Sequence, residues 1–356
     1  MWQVIGQNRI ISLLQHSLEK GMLAHAYLLV GPPHVGKTTL AINLAQALNC
    51  EADKPPCGEC HLCQKIASAN HADVQIIGLN HTTNSTKHGE LDSGKYITIG
   101  QIKDLQYSAN LPPFEGKYKV FIIDTAEIMS NAAANCLLKT LEEPVDKVIF
   151  MLLTANEQLL PTTVISRCHR LELPPLATAE IETAINERWG IEPQKAKLIA
   201  RLSHGCPGWA FSAARDDGLL QQRAERMDGL LEVIQADYEE RFDYASQLAT
   251  RFNQSRDAVQ KILELWLDYW RDLMLAKTGC SNEITNIGLE DKIDKMAMDY
   301  SLAQIRTFIN SLQAAEARLK QNANPRLVLE VLMLSLPRKE MCSGENPTAQ
   351  FSMNYG

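Results

Sequence analysis

The chain has 356 residues, enough for two or three domains of the usual ~100–150 residues. An apolar content of 45% with 22% charged residues is that of a soluble globular protein, and the net charge of −7 argues against a strongly basic nucleic-acid binder while leaving room for a local patch. No apolar run approaches the ~20 residues of a membrane span, so no membrane partner is expected.

At the start, Met1-Trp2-Gln3-Val4 lacks the basic region and apolar core of a signal peptide, and a cytoplasmic address follows. Nine cysteines in such a chain are expected to be mostly reduced, so clustered ones suggest metal rather than disulfide. Ile10 to Leu18 reads as an amphipathic helix through Ile10, Leu13, Leu14 and Leu18, closed near Gly21. Ala26-Tyr27-Leu28-Leu29-Val30 then reads as a short buried strand.

Gly31-Pro32-Pro33-His34-Val35-Gly36-Lys37-Thr38 follows that strand and fits G-x-x-x-x-G-K-[ST], the loop that cradles nucleotide phosphates. Thr39 to Leu48 continues as a helix, with Leu40, Ala41, Leu44, Ala45 and Leu48 at helical spacing. Strand, glycine loop and helix together aim backbone N–H groups and a helix N-terminus at one anion. Gly31 and Gly36 allow close backbone approach, Lys37 is placed to reach the β and γ phosphates, and Thr38 to hold Mg²⁺, with Thr39 beside it. ATP with Mg²⁺ is the expected cofactor. A chance match in an ordinary strand–turn–helix is the competing reading, and correct flanks on both sides weigh against it.

Next comes Cys50-x6-Cys57-x2-Cys60-x2-Cys63, four thiols within 14 residues. Zn²⁺ favours a thiolate tetrahedron, and two-residue gaps let a tight turn present adjacent ligands. Pro55, Pro56 and Gly58 supply the turn chemistry. Two alternatives stay open at this point: unligated reduced cysteines, or His61 or His71 in place of Cys50.

Val74 to Ile77 is a candidate strand, and the polar, aperiodic stretch Asn80 to Lys95 is expected to be a mobile loop. Gln101 to Leu105 opens a helix. Val120-Phe121-Ile122-Ile123-Asp124 is an apolar strand ending in a carboxylate, which in P-loop proteins helps hold Mg²⁺; a simple turn cap is the rival reading for Asp124. Thr125 follows it, and Glu127 comes two residues later. Asn131 to Glu143 is a helix ending before Pro144. Val148 to Leu153 forms another strand, followed by the polar turn Thr154-Ala155-Asn156, and Ser166-Arg167-Cys168 precedes a last strand, His169 to Leu173. Strands alternating with helices argue for an α/β domain with a parallel, helix-covered sheet up to the Leu173-Pro174-Pro175 break.

Beyond the break, Thr178 to Trp189 and Gln194 to Ser203 read as helices. Gly205-Cys206-Pro207-Gly208 punctuates them before a third near Trp209. From Gly218 to Leu336 the periodicity is helical throughout, including Leu219 to Ile234, Ala258 to Leu275, Leu302 to Lys320 and Pro325 to Leu334. Trp266, Tyr269 and Trp270 could suggest base stacking, but their 3–4 spacing on an apolar helix favours core packing. Glu340 to Gly356 reads as a disordered tail. No set of carboxylates suits two-metal nucleotidyl transfer, so no polymerase active site is expected.

Gly6-Gln7, the P-loop, the four cysteines, Leu137-Leu138-Lys139-Thr140-Leu141-Glu142-Glu143-Pro144 and Ser166-Arg167-Cys168 stand in an order that resembles bacterial clamp-loader subunits, the AAA+ proteins of the DNA polymerase III holoenzyme. Asn324-Pro325-Arg326-Leu327 followed by Leu329-Glu330 is similar to their C-terminal collar, so the likeness spans residues 1 to about 336. It implies an AAA+ core over 1–174 with a zinc module at 50–63, a helical lid over 175–217, a helical collar over 218–340, and a tail at 341–356. It also implies a hetero-pentameric ring with gamma/tau and delta subunits, reaching the sliding clamp and primer–template DNA through the complex. Arg167 then falls where the family places an arginine finger for a neighbour's ATP, with Arg170 a surface charge on the next strand.

Motor subunits of this family, the gamma/tau branch, carry Asp-Glu at the second acidic motif and a lid arginine after a Gly-Ser turn. Here those stretches read Asp124-Thr125-Ala126-Glu127 and Gly205-Cys206-Pro207-Gly208. Both departures resemble the delta-prime branch, which acts as a rigid partner. The competing expectation is a working motor in which Glu127 substitutes for the missing base. A two-residue shift on a turn would misplace that carboxylate by several Å, given ~3.3 Å per extended residue, and general-base geometry tolerates little of that. A P-loop kinase is a third reading, and it leaves the cysteines and the Ser-Arg-Cys block unexplained.

Overall fold

The computed structural model describes residues 2–78, 96–321 and 323–337. The expected mobile loop at 80–95 and the expected tail at 340–356 lie outside the described residues. Contacts divide the chain into two compact units, Met1–Arg215 and Asp216–Gly356.

The first unit opens with α1 (Asn8–Glu19), β1 (Ala26–Val30), α2 (Lys37–Asn49), α3 (His61–Ala67), β2 (Val74–Ile77), α4 (Ile99–Ala109) and β3 (Lys119–Ile123). It continues with α5 (Asn131–Glu142), β4 (Val148–Thr154), α6 (Thr162–Ile165), β5 (His169–Glu172), α7 (Thr178–Trp189), α8 (Pro193–Leu202) and α9 (Pro207–Arg215). Five parallel strands form one sheet in the order β2-β3-β4-β1-β5. Every residue of β1, β3 and β4 is buried, which is why these strands read as unbroken apolar runs rather than alternating ones. β5 lies at an edge and buries only Leu171.

The strand order reverses at β1. From β1 the chain crosses to the far edge, returns through β3 and β4, then passes to the other side of β1 as β5. Such a reversal opens a crevice at the carboxyl ends of the strands, where ligands bind in open α/β sheets. Val30 of β1 is in register with Thr154 of β4, and Ile123 of β3 with Leu152, so the three strand ends stand side by side.

The second unit is helical: α10 (Asp217–Gln235), α11 (Tyr238–Gln254), α12 (Arg256–Lys277), α13 (Glu290–Met298), α14 (Leu302–Lys320) and α15 (Pro325–Ser335). Trp266, Tyr269 and Trp270 of α12 have no exposed surface, and the Trp270 ring lies 4.6 Å from that of Phe308. They are core residues and present no face to a base. Among the described residues no helix is long and apolar enough to cross a membrane.

Candidate nucleotide site and cysteine cluster

The loop between β1 and α2 is shaped by close backbone approach. A Cβ on Gly31 would stand 2.5 Å from the Leu173 carbonyl oxygen, and Gly36 turns the chain into α2 at φ 109°. Thr38 and Thr39 follow Lys37 in the first turn of α2. Lys37 Nζ donates to the carbonyls of Gly31 at 2.7 Å and Pro32 at 2.8 Å, so the ammonium is folded back over its own loop. Burial lowers the Lys37 pKa, opposed by the negative charges of Glu127 and Asp124. The structure thus brings the P-loop lysine and the second acidic motif within electrostatic reach of each other.

Asp124 sits directly past β3, its N–H bonded to the Ile77 carbonyl at 2.8 Å. Thr125 is exposed and left-handed at φ 55°, followed by one 3₁₀ turn over Ala126–Ile128. This turn folds the chain back on itself. Glu127 Oε1 accepts the Ala155 N–H at 3.1 Å, at the exit of β4, while Oε2 is buried with no hydrogen-bond partner. Between Thr125 and Glu127 the backbone turns rather than extends, so this 3₁₀ turn sets the offset between the two positions.

In the same unit, the Gly208 N–H donates to the His34 carbonyl at 2.9 Å, seating the first turn of α9 on the P-loop. Arg167 follows α6. Its Nη1 donates to the Thr163 carbonyl at 2.8 Å and its Nη2 pairs with Glu142 at 2.7 Å, and the side chain remains one-third exposed. Arg170, expected as a plain surface charge, is bonded through Nε and Nη2 to both oxygens of Glu157, at 2.6 and 3.0 Å, and through Nη1 to Glu172 at 2.9 Å.

The four cysteines converge. Their Sγ atoms all lie within 4.8 Å of one another, and Cys57 and Cys63 are 3.9 Å apart. A tetrahedron with ~2.3 Å Zn–S bonds has edges of about 3.8 Å, so the donor set fits zinc. Backbone N–H groups point at sulfur throughout: Ala52 and Cys57 to Cys50, Cys60 to Cys57, and Cys63 to Cys60. N–H donors from Cys60 and Glu59 bring the Cys57 thiol down to about 6, whereas burial pushes Cys63 up to about 12. A cation would hold both as thiolates. Neither alternative histidine belongs to this group: His61 is exposed, and buried His71 turns Nδ1 to the Asp73 N–H at 3.1 Å.

Reading the sequence missed the polar side chains that seat this cluster. Asn43, Gln46 and Asn49 on α2 are all buried. Gln46 Nε2 donates to the Cys63 carbonyl at 2.9 Å, and Asn49 Oδ1 accepts from the N–H groups of Lys117 and Tyr118. The available signal was three amides at three-residue intervals on an otherwise apolar helix.

Residues 6–177 match the family model described as "DNA polymerase III, delta subunit". The chain is 30% identical over 331 residues to the Bacillus subtilis DNA polymerase III subunit delta-prime, covering 93% of this chain and 96% of that one. It is 27% identical over 355 residues to the Bacillus subtilis subunit tau, covering 94% of this chain and 60% of that one. With the Escherichia coli subunit tau the identity is 33% over 246 residues, 65% of this chain and 36% of that one. The chain therefore belongs to the family of DNA polymerase III clamp-loader subunits that includes delta-prime and gamma/tau.

Proposed function

We propose that the chain is a delta-prime-type subunit: a structural and regulatory AAA+ member of a hetero-pentameric clamp loader with gamma/tau and delta. It helps load the sliding clamp on primer–template DNA in the cytoplasm. It binds Mg²⁺-ATP through Gly31, Gly36, Lys37, Thr38, Thr39 and Asp124 without useful turnover, and it offers Arg167 to a neighbour's ATP. Zinc is held by Cys50, Cys57, Cys60 and Cys63. The division into AAA+ core (1–174), lid (175–217) and collar (218–340) is part of the same proposal.

One observation carries the reading. Directly after Asp124, where a motor has a glutamate, stands the exposed hydroxyl of Thr125, which cannot serve as general base near neutral pH. Two others support it: the delta-prime relative matches nearly end to end, and no arginine stands directly after the Gly205-Cys206-Pro207-Gly208 turn, whose Gly208 N–H meets the P-loop at the His34 carbonyl. A gamma/tau-type motor remains the second reading, because the reversal at Thr125 returns the Glu127 carboxylate to the strand ends. Calorimetry with ATP, together with turnover of the purified chain alone, separates the two. Binding that disappears in Lys37→Ala, with negligible hydrolysis, is expected. Turnover near ~1 s⁻¹ or faster, typical of enzymes, would assign the chain to the motor branch.

A further inference from the structure

Three hydrogen bonds link the P-loop to the second acidic turn. Lys37 Nζ donates to the Gly31 carbonyl at 2.7 Å, and the Gly31 N–H donates to the Thr154 carbonyl at 3.2 Å. The next N–H along, that of Ala155, donates to Glu127 Oε1 at 3.1 Å. One peptide at the exit of β4 is therefore clamped between the first P-loop glycine and Glu127. The carboxylate is fixed by one oxygen only; Oε2 is buried without a partner. A buried acceptor left unsatisfied is costly, and in a native fold it marks a place where an ion or water belongs. The turn that puts it there is itself strained, since Thr125 is β-branched and left-handed.

Resting on the nucleotide-binding reading above, we infer that Glu127 is an outer-shell partner of the hydrated divalent cation of bound nucleotide. Its Oε2 accepts a hydrogen bond from a metal-bound water, with Asp124 directly past the end of β3. Mg²⁺ gives up its waters reluctantly, so a carboxylate one water away suits it better than a crowded inner shell. This is a ground-state binding role and requires no hydrolysis.

The test is a Mg²⁺ titration of the full chain with a fluorescent, non-hydrolysable ATP analogue. Glu127→Gln keeps an oxygen for the Ala155 N–H and removes the charge. Its Mg²⁺ midpoint should rise about 10-fold or more, as for other outer-shell partners of metals, while analogue affinity in EDTA stays at the wild-type value. Glu127→Asp, which keeps the charge on a shorter stem, should fall between the two and guards against misfolding of the amide variant. An unchanged midpoint in Glu127→Gln would reduce Glu127 to an anchor for the β4 turn. A wild-type protein that binds the analogue equally with and without Mg²⁺ overturns this inference and leaves nucleotide binding standing. A wild-type protein that binds no analogue overturns both.

Discussion

Gly208→Ala tests how firmly the P-loop is held from above. Gly208 is the second residue of α9, where alanine would ordinarily gain at most ~1 kcal/mol over glycine. Here the added methyl would meet the His34 carbonyl oxygen at 2.8 Å, with His34 Cβ at 3.3 Å and Cα at 3.4 Å. The nearest of these is a main-chain atom of the P-loop, so relief requires the loop or the helix to move. Movement stretches the 2.9 Å bond from Gly208 N–H to His34. Losing that bond costs about 0.5–1.5 kcal/mol, and overpacking typically costs about 1–3 kcal/mol. After the propensity gain, a net loss of about 1–3 kcal/mol remains. In a unit of this size each kcal/mol is worth roughly 2–4 °C, so the first unit should melt roughly 2–12 °C lower. Calorimetric scans with and without Mg²⁺-ATP read both stability and loop geometry, and nucleotide should stabilise the variant less than the wild type. A variant melting at or above wild type, with unchanged affinity, would show that helix propensity wins and that α9 does not constrain the loop.

Other expectations concern sites away from that contact. Cys60→Ser should lose zinc and expose residues 50–70 to protease, since structural zinc can contribute on the order of 10–16 kcal/mol to local folding; elemental analysis finding no metal in native protein purified without chelator would refute the site. Burial alone would raise the Asp73 carboxyl, but N–H groups of Phe114, Gly116 and Glu115 outweigh it and hold the pKa below its ordinary value. A lowered folded pKa stabilises above the unfolded pKa of ~3.9 and is lost as pH falls through the folded value, so Asp73→Asn should cost about 1–3 kcal/mol in urea at pH 7 and converge on wild type in strong acid. Arg167→Ala should leave folding and zinc unchanged yet lower the DNA- and clamp-stimulated ATPase of the assembled complex, with Arg167→Lys failing to rescue because a point charge lacks the planar fork; unchanged complex ATPase would return Arg167 to a structural ion pair with Glu142.

What the sequence made legible was local. The P-loop, the cysteine spacing and the apolar strands are each written within one short window, and strands buried on both faces announce themselves as unbroken runs. Nothing comparable marked α3, because it starts inside the cysteine run and its first turn is capped by the sulfur of Cys60. α11 was not singled out, since its buried face includes Arg241 and two alanines among many charges. The place of the Glu127 carboxylate was not legible for a different reason: it depends on a left-handed turn at Thr125, a conformation that a β-branched residue disfavours. Arg170 depended on a partner thirteen residues away, and spacing along one chain cannot indicate such a pairing.

The amides of α2 tie the helix that starts at the P-loop lysine to the cysteine cluster. The helix begins at Lys37, ends at Asn49 and is capped by Cys50, a length of about 20 Å at ~1.5 Å per residue. Asn43 accepts the Gln3 N–H and donates to Gln46, Gln46 donates to the Cys63 carbonyl, and Asn49 accepts from the strand entering β3. Buried amides are tolerated only when paired, and a paired network fixes one geometry more sharply than apolar contacts of similar area. If the cluster loosens, the Cys63 carbonyl leaves Gln46, which then has a buried donor to satisfy. The cheapest relief is a shift of α2, and α2 carries the P-loop lysine at its other end. Cys60→Ser should therefore weaken binding of the fluorescent ATP analogue, although no cysteine of the cluster belongs to the phosphate-facing set. Zinc-free protein that binds the analogue as tightly as wild type, with the rest of the first unit folded, would show that the helix does not transmit the change.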